Sequence, residues 1–161
     1  VTTAPCPASS TEIAVPFSHV NEAVNCVMET LQNHLLAAPL GIRYIPKSLA
    51  TLAVNQYDDF TVTIELPGPQ KGSGALCSLF PDAEVAHNAV FEALNQRNIP
   101  HRFHWGQQLP MNTNWVTNSY GAEKVAAWKS ARTKLLPSTK AQNIFANKLT
   151  DAVGLTGDGL A

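Results

Sequence analysis

The segment FTVTIEL at residues 60–66 is the feature that most constrains the fold of this chain. Its side chains alternate strictly between apolar and polar, and a period of two places them on opposite faces of an extended strand. One face carries Phe60, Val62, Ile64 and Leu66, and the other carries Thr61, Thr63 and Glu65. The pattern predicts a sheet with one face in a hydrophobic core and one polar face.

Three other segments are predicted as strands of this sheet, because they are short, rich in β-branched or aromatic residues, and bounded by Pro, Ser or Gly. They are Thr11–Phe17, Leu40–Ile45 and His101–Trp105, and Leu49–Val54 is a further candidate. In the second of these strands, alternation places Ile42 and Tyr44 on one face and Gly41, Arg43 and Ile45 on the other.

Two segments between the strands have apolar residues at helical spacing. The first helix is predicted from an N-cap at Ser18 towards Pro39, and the second from an N-cap at Asp82 to near Asn98. The resulting order is β-α-β-β-α-β. This order predicts an α+β fold with a ferredoxin-like antiparallel sheet and helices on one face.

The rest of the chain is predicted as a C-terminal helical tail, with helices at Ala122–Leu136 and about Asn147–Val153. We predict one domain over residues 1–161, with an N-terminal extension at 1–10, a core at 11–105 and the tail at 106–161. A length of 161 residues and a hydrophobic content of 45% are enough for one core. Val1 in place of a starting methionine favours a processed product, and both ends are expected to pack against another chain.

Charge and hydropathy exclude several classes of partner. The formal net charge is -1 and only 14% of the residues are charged, which leaves no basic stripe to neutralise phosphates. Nucleic acid and membrane surfaces are therefore not expected as partners. The sequence also has no apolar run long enough to span a membrane.

The cysteine and histidine spacings do not predict a metal site. Cys6, Cys26 and Cys77 lack the close pairs of a zinc site. One disulfide with one free thiol is compatible with them, and three buried thiols are favoured. His101 and His104 are expected on opposite faces of a strand without flanking acids, so we predict no metal. Glycine-rich nucleotide loops and a G-x-S-x-G turn are also absent from the sequence.

The polar sheet face is predicted to carry Arg43, Thr61, Thr63 and Glu65, together with side chains of HRFHW at residues 101–105. Such a face is typical of a pocket wall, and it is equally typical of a sheet that faces solvent.

The motif HWGQ at residues 104–107 resembles the H-W-G-K of the sugar-lactone and alditol oxidases, which are flavoproteins of the vanillyl-alcohol oxidase superfamily. TEIAVPFSHVNEAV is similar to the start of that family's C-terminal substrate-binding (cap) domain, and PLGIRYIP stands where the family has a V-E-V-R-F strand. NIFANKLTDAVGL resembles the family's closing R-F-x-N-x-x-L segment. The resemblance spans about Thr11 to Leu155.

The resemblance implies that this chain is the cap part of an FAD-dependent oxidase or dehydrogenase. The family's FAD-binding domain is absent from the sequence, so the flavin would be bound mainly by a second chain from the same precursor or operon. The substrate would be a small molecule with a hydroxyl group, oxidised by hydride transfer to flavin N5. A different reading is a non-catalytic, ferredoxin-like binding or assembly module that dimerises through its open sheet face.

The resemblance also implies roles for individual residues. Arg43 matches the arginine of the family's E-x-R pair, near the flavin and the substrate hydroxyl, and His104 or Glu65 are the candidates to take the hydroxyl proton. The candidates for substrate binding are Tyr44, Thr63, Trp105 and Gln107, and Asn147 is the candidate for cofactor binding. Plain structural roles compete with three of these: a strand-edge ion pair for Arg43, a core position for Trp105 and a helix cap for Asn147.

Two positions depart from the family pattern. Gly41 replaces the glutamate of E-x-R, and Gln107 replaces the lysine of H-W-G-K. The loss of two charged groups argues against a simple sugar substrate and favours a bulkier or less polar one, and an inactive relative is compatible with the same changes. Glu65, on the neighbouring strand, is a candidate to replace the missing acid.

Overall fold

The computed structural model describes residues 6–36, 38–71, 77–110 and 113–156. The chain forms two compact units. The first unit comprises residues 1–48 and 54–109, and the second comprises residues 49–53 and 110–161. All the strands of the described residues belong to the first unit.

The first unit contains a four-stranded antiparallel sheet with the strand order β2-β3-β1-β4. Its strands are β1 (Ala8–Pro16), β2 (Gly41–Pro46), β3 (Phe60–Pro69) and β4 (Arg102–Phe103). Helix α1 (Val20–Leu31) follows β1 and helix α2 (Ala83–Gln96) follows β3. The predicted α+β class and the antiparallel sheet are therefore confirmed.

The strand register places the apolar residues of FTVTIEL in the core, as predicted. Ile64 lies opposite Ile13 of β1 and Ile42 of β2. The helices α1 and α2 pack against each other, and α2 packs on β1 and β3. The buried core includes Ile13, Val15, Val62, Ile64, Leu66 and Phe103 from the sheet and Ala23, Val27, Val90 and Leu94 from the helices.

Helix capping was predicted correctly for α2 and incorrectly for α1. The Asp82 side chain accepts a hydrogen bond from the Glu84 backbone N–H at 3.2 Å. Ser18 instead lies in a 3-10 turn, where its hydroxyl contacts Nδ1 of His19 at 3.0 Å, and His19 occupies the N-cap position. The short turn moves the start of the helix past Ser18. The Ser18 hydroxyl therefore no longer faces the free N–H groups of the first helical turn.

The strands differ from the prediction in several places. Residues 49–54 form bends and a turn and make no strand. β4 has only two residues, because the chain enters a tight turn directly after Phe103. β1 begins at Ala8, inside the predicted extension, and β3 continues to Pro69, because the two strands pair over that whole length. The additional pairing satisfies backbone groups that the proline-rich sequence suggested would lie in loops.

The second unit contains four helices in its described residues: α3 (Thr113–Tyr120), α4 (Ala122–Leu135), α5 (Thr139–Ile144) and α6 (Lys148–Ala152). The helices α4 and α6 were predicted, whereas α3 and α5 were not. The side chain of Ser138 caps α5 by accepting from the Ala141 N–H at 3.2 Å, a local signal that the short length of the helix obscured. No described helix is long and apolar enough to cross a membrane.

The cysteines form one disulfide, between Cys6 and Cys77, with a Cα–Cα distance of 5.3 Å. Cys26 is free and buried on α1, and burial raises the pKa of its thiol. The favoured prediction of three buried thiols is wrong, because pairing of β1 with β3 brings the residues before β1 beside those after β3. The predicted packing of the chain ends falls mainly on residues 1–5 and 157–161, which lie outside the described residues.

Candidate functional site

The polar sheet face is buried at its centre and open at β2. Thr63 lies opposite Ala14 of β1 and Arg43 of β2, and Thr61 lies one pleat further along β3. Thr61 is 0% exposed and Thr63 is 1% exposed. Their hydroxyls have no hydrogen-bond partner among the described residues. Arg43, in contrast, keeps 54% of its side chain exposed. The face therefore does not have the uniform solvent exposure of a free sheet.

Arg43 bridges two carboxylates on this face. Its Nη1 lies 2.5 Å from Oε2 of Glu12, and its Nη2 donates to Oε2 of Glu65. Glu12 and Glu65 lie directly opposite each other on β1 and β3, a placement that is unfavourable for two like charges without a cation. The Glu65 carboxylate, and next the Glu12 carboxylate, raise the pKa of Arg43.

Glu65 also occupies the space beside position 41. Gly41 lies opposite Glu65, and a Cβ placed on Gly41 would be 3.5 Å from the Glu65 Cβ and 3.6 Å from its Oε2. A carboxylate carried by β3 therefore lies beside the side-chain-free position 41 of β2.

The HWGQ segment forms a four-residue turn directly after β4. The Gln107 N–H donates to the His104 carbonyl at 3.2 Å, and the His104 N–H donates to the Glu12 carbonyl at 2.9 Å. The Gly106 N–H donates to Nδ1 of His104 at 3.1 Å, so the neutral ring carries its hydrogen on Nε2. A Cβ on Gly106 would approach Cε1 of His104 to 3.2 Å, so the imidazole would have to shift to admit a larger residue.

Gln107 brings the turn to the same carboxylate. Its Nε2 lies 3.4 Å from Oε1 of Glu65, and the hydroxyl of Ser10 lies 3.3 Å from that oxygen. The Oε1 atom of Gln107 is buried and has no hydrogen-bond partner among the described residues. We name Arg43, Glu12, Glu65 and Gln107 the Arg43 cluster. It joins β2, β3, β1 and the turn after β4 at one place.

Other predicted site residues have different surroundings. Thr63 is opposite Arg43 in the ladder, and Trp105 is half-buried within the turn. Tyr44 lies on the opposite sheet face from Arg43, where its ring centroid is 6.2 Å from that of Phe17. It lines a groove of about 450 Å³ together with Val20, Asn21, Val24, Asn25 and Ile42. The structure does not bring Tyr44 to the Arg43 cluster.

Asn147 lies in the second unit, where it is the N-cap of α6. Its side-chain oxygen accepts from the Thr150 N–H at 2.9 Å, and the Thr150 hydroxyl accepts from the Asn147 N–H at 3.0 Å. This reciprocal capping box gives Asn147 the structural role that the sequence offered as the alternative to cofactor binding.

His101 has a local structural environment. Its Nδ1 lies 2.7 Å from the Ile99 carbonyl, and its ring makes an edge contact with Phe103 at 5.1 Å between centroids. Burial lowers the pKa of His101, with the Ile99 contact opposing this shift. The described residues contain no group of three or more side chains placed to hold a metal ion.

Sequence reasoning missed Glu12, the less exposed of the two carboxylates, with 9% of its side chain accessible against 22% for Glu65. The signal was present, because the alternation in TEIAVPF places Glu12 on the face opposite Ile13. Arg102 was also missed: it is 7% exposed, and its guanidinium lies 4.1 Å from the ring centroid of Tyr57. No property of HRFHW indicates a partner 45 residues earlier in the chain.

No family model matches the chain, and no curated protein matches it either. A function is therefore inferred from the Arg43 cluster and from the resemblance of the motifs that supply its residues.

Proposed function

We propose that this chain is the substrate-binding (cap) chain of a two-chain FAD-dependent oxidase or dehydrogenase. Its substrate would be a hydroxyl-bearing small molecule, and bound FAD would accept a hydride from the carbinol carbon. The first unit is proposed to be ferredoxin-like, which its β-α-β-β-α-β order and its antiparallel strand order β2-β3-β1-β4 support.

One observation carries the proposal: the Glu65 carboxylate contacts both Arg43 and Gln107. These two residues stand at the E-x-R and H-W-G-K positions, which are 64 residues apart in the sequence. Two residues that resemble separate motifs of one family therefore meet at a single acid, on the sheet face where strand alternation had placed Arg43 and Glu65. The same acid lies beside Gly41, so it is placed to replace the glutamate that β2 lacks.

Arg43 is the residue of this chain that best fits a site next to a flavin. Its side chain remains about half exposed although two carboxylates hold the guanidinium in place. A fixed, permanently charged donor of this kind stabilises negative charge that develops on a substrate oxygen, without a reorganisation cost during the reaction. The side-chain oxygen of Asn147 accepts a hydrogen bond in the cap of its own helix, so it does not support the candidate role of Asn147 in cofactor binding.

Glu65 is favoured over His104 as the acceptor of the hydroxyl proton. Nδ1 of His104 already accepts from the Gly106 N–H, and Nε2 of the neutral ring is a donor. Among the described residues, Oε1 of Glu65 makes only long contacts, at 3.3 and 3.4 Å, so it keeps capacity to accept a hydrogen bond. His104 is then better suited to donate a hydrogen bond to the substrate.

The charge of the cluster favours a neutral donor substrate. Two carboxylates and one guanidinium sum to -1, and Gln107 adds no charge where the family has a lysine. An anionic alcohol would be repelled. A neutral alcohol with a larger apolar body is compatible with the apolar rings of Trp105 and with the amide of Gln107.

The dimerising, non-catalytic module is less favoured. It requires an open polar sheet face, whereas Thr61 and Thr63 at the centre of that face are buried within the chain. On β2, Arg43 is the exposed residue of this face and Gly41 and Ile45 are half-buried, which is little open surface for a stable interface between two copies.

The test is to isolate the chain from its native source and to examine its colour and its partners. We expect a visible flavin spectrum that co-purifies with this chain and with a larger polypeptide. A colourless, stable monomer without a partner would overturn the proposal. A flavin domain on the same polypeptide would retain the catalytic assignment and overturn the two-chain arrangement.

A further inference from the structure

Gln108, the residue after the HWGQ turn, is held by contacts from β1 and α2. Its N–H donates to the Ser10 carbonyl at 2.9 Å, and its carbonyl accepts from the Thr11 hydroxyl at 2.7 Å. Its side-chain amide lies 2.9 Å from the Ser9 hydroxyl and 2.6 Å from Nδ1 of His87. Both its backbone and its side chain are therefore fixed.

His87 anchors this arrangement from inside the core. It is 0% exposed on α2, and its Nε2 lies 2.7 Å from the Leu66 carbonyl. A carbonyl only accepts, so Nε2 carries the hydrogen and Nδ1 of the neutral ring is an acceptor. In the structure Oε1 of Gln108 accepts from the Ser9 hydroxyl and faces Nδ1 of His87. A half-turn of the amide would instead bring its nitrogen to Nδ1 as a hydrogen-bond donor.

The side chains of Gln107 and Gln108 contact opposite faces of the sheet. Gln108 reaches His87 on the helix face, whereas Gln107 reaches Glu65 on the polar face. The contact that Gln107 makes with Glu65 is long, at 3.4 Å, and a contact of this length does not by itself fix a side chain. The direction of Gln107 therefore depends on how firmly its neighbour is held.

We propose that His87 and Gln108 are positioning residues that hold Gln107 against the Arg43 cluster. An effect of this positioning on substrate binding rests on the proposed function. The positioning of Gln107 itself does not. The His87 and Gln108 side chains hydrogen-bond to Leu66, Ser9 and each other rather than to the cluster, so both act through the backbone of the turn.

The first experiment uses NMR and amide hydrogen exchange on the full chain and needs no activity. Gln108→Met removes the side-chain contacts and keeps both backbone bonds, and His87→Phe removes the buried anchor at similar volume. Asn88→Ala is the matched control, because Asn88 is the exposed next residue on α2. We expect the Gln107 side-chain amide signals to shift and the exchange of its backbone amide to rise about tenfold in Gln108→Met, and no change in the control.

Unchanged Gln107 signals and exchange in a folded Gln108→Met variant would overturn the proposal. Gln108→Met carries this decision, because it leaves the buried core intact and does not depend on whether His87→Phe folds. Equal changes in Asn88→Ala would also overturn it, since they would indicate a general loosening of α2.

The second experiment measures kcat and KM on the complex with the flavin-binding partner. Gln108→Met should raise KM more than it lowers kcat, and it should have no further effect when Gln107→Ala is already present, because the residue it positions is gone. Additive effects of the two substitutions would overturn the proposal. Absence of any flavin activity would count against the proposed function alone, since the exchange experiment still decides the positioning.

Discussion

Arg43 of β2 and Glu12 of β1 meet across the intervening strand β3, with Nη1 of the arginine 2.5 Å from Oε2 of the glutamate. The contact is available because β2 and β1 lie two strand spacings apart, about 9.5 Å, which an extended arginine and a glutamate side chain span together, and because both residues point to the polar face. Glu65 of β3 binds the same guanidinium from the strand between them. The cation is thereby held on one face by carboxylates of two different strands.

Removal of Arg43 should abolish most turnover and leave the assembly intact. We expect Arg43→Ala to lower kcat about 100-fold or more, because a preorganised charged donor is lost from the reacting centre. Arg43→Lys should retain part of the activity, since an ammonium keeps the charge and loses the fork that reaches two carboxylates. Lys47→Ala, an exposed cation just after β2, is the control and should leave kcat unchanged. Steady-state kinetics and size-exclusion chromatography give the two readouts, and dissociation of the complex by Arg43→Ala would contradict this assignment.

Moving the carboxylate from β3 to β2 should restore part of the activity that the substitution Glu65→Gln removes. Glu65→Gln is expected to reduce kcat/KM at least about tenfold, by removing the charge beside Arg43. The double variant Gly41→Glu with Glu65→Gln places a carboxylate in the adjacent space, where a Cβ meets only ordinary contacts. It should recover part of the loss, whereas Gly41→Glu alone crowds a third carboxylate into the cluster and should weaken activity. If the double variant is no better than Glu65→Gln, Glu65 does not replace the family's acid.

The Cys6–Cys77 disulfide should contribute strongly to stability. It closes a loop between cysteines 71 residues apart, for which chain-entropy reasoning gives about 4 kcal/mol of unfolding free energy. Denaturation with and without reductant measures this difference, and Cys77→Ser should behave like the reduced protein. Under denaturing, non-reducing conditions a thiol assay should count one free thiol, from Cys26. A count of three would show that the disulfide does not form.

His101 should make the protein less stable in mild acid. Burial lowers its pKa in the folded chain, whereas the unfolded chain has the ordinary value of about 6.5. The folded state therefore binds fewer protons in that range, so the stabilisation is complete above pH of about 6.5 and is lost as the pH falls towards the folded-state pKa.

The check is urea denaturation of the wild type and of His101→Asn at several pH values on both sides of about 6.5. Asparagine keeps an N–H that can donate to the Ile99 carbonyl and does not titrate. We expect the free energy of unfolding of the wild type, relative to that of His101→Asn, to increase as the pH rises. A difference that is independent of pH would contradict the assignment.

Local patterns were sufficient to predict most of the elements of this chain. The alternation in FTVTIEL identified β3 and its buried face, and the side chain of Asp82 identified the start of α2. These predictions succeed because strand alternation and helix capping depend on residues within a few positions of each other. The same alternation separated Arg43 from Tyr44, although both were candidate site residues.

The tertiary structure alone decided which distant residues meet. The pairing of Arg43 with Glu12, the disulfide between Cys6 and Cys77, and the anchoring of Gln108 by His87 all depend on strand order and register. These are set by packing of the whole core, since the alternation within a segment fixes which face a residue occupies but not which residue of another strand it meets. The sequence by itself therefore determined the elements and their polar and apolar faces, and the packing of the sheet determined the contacts that make Arg43 and its neighbours a candidate site.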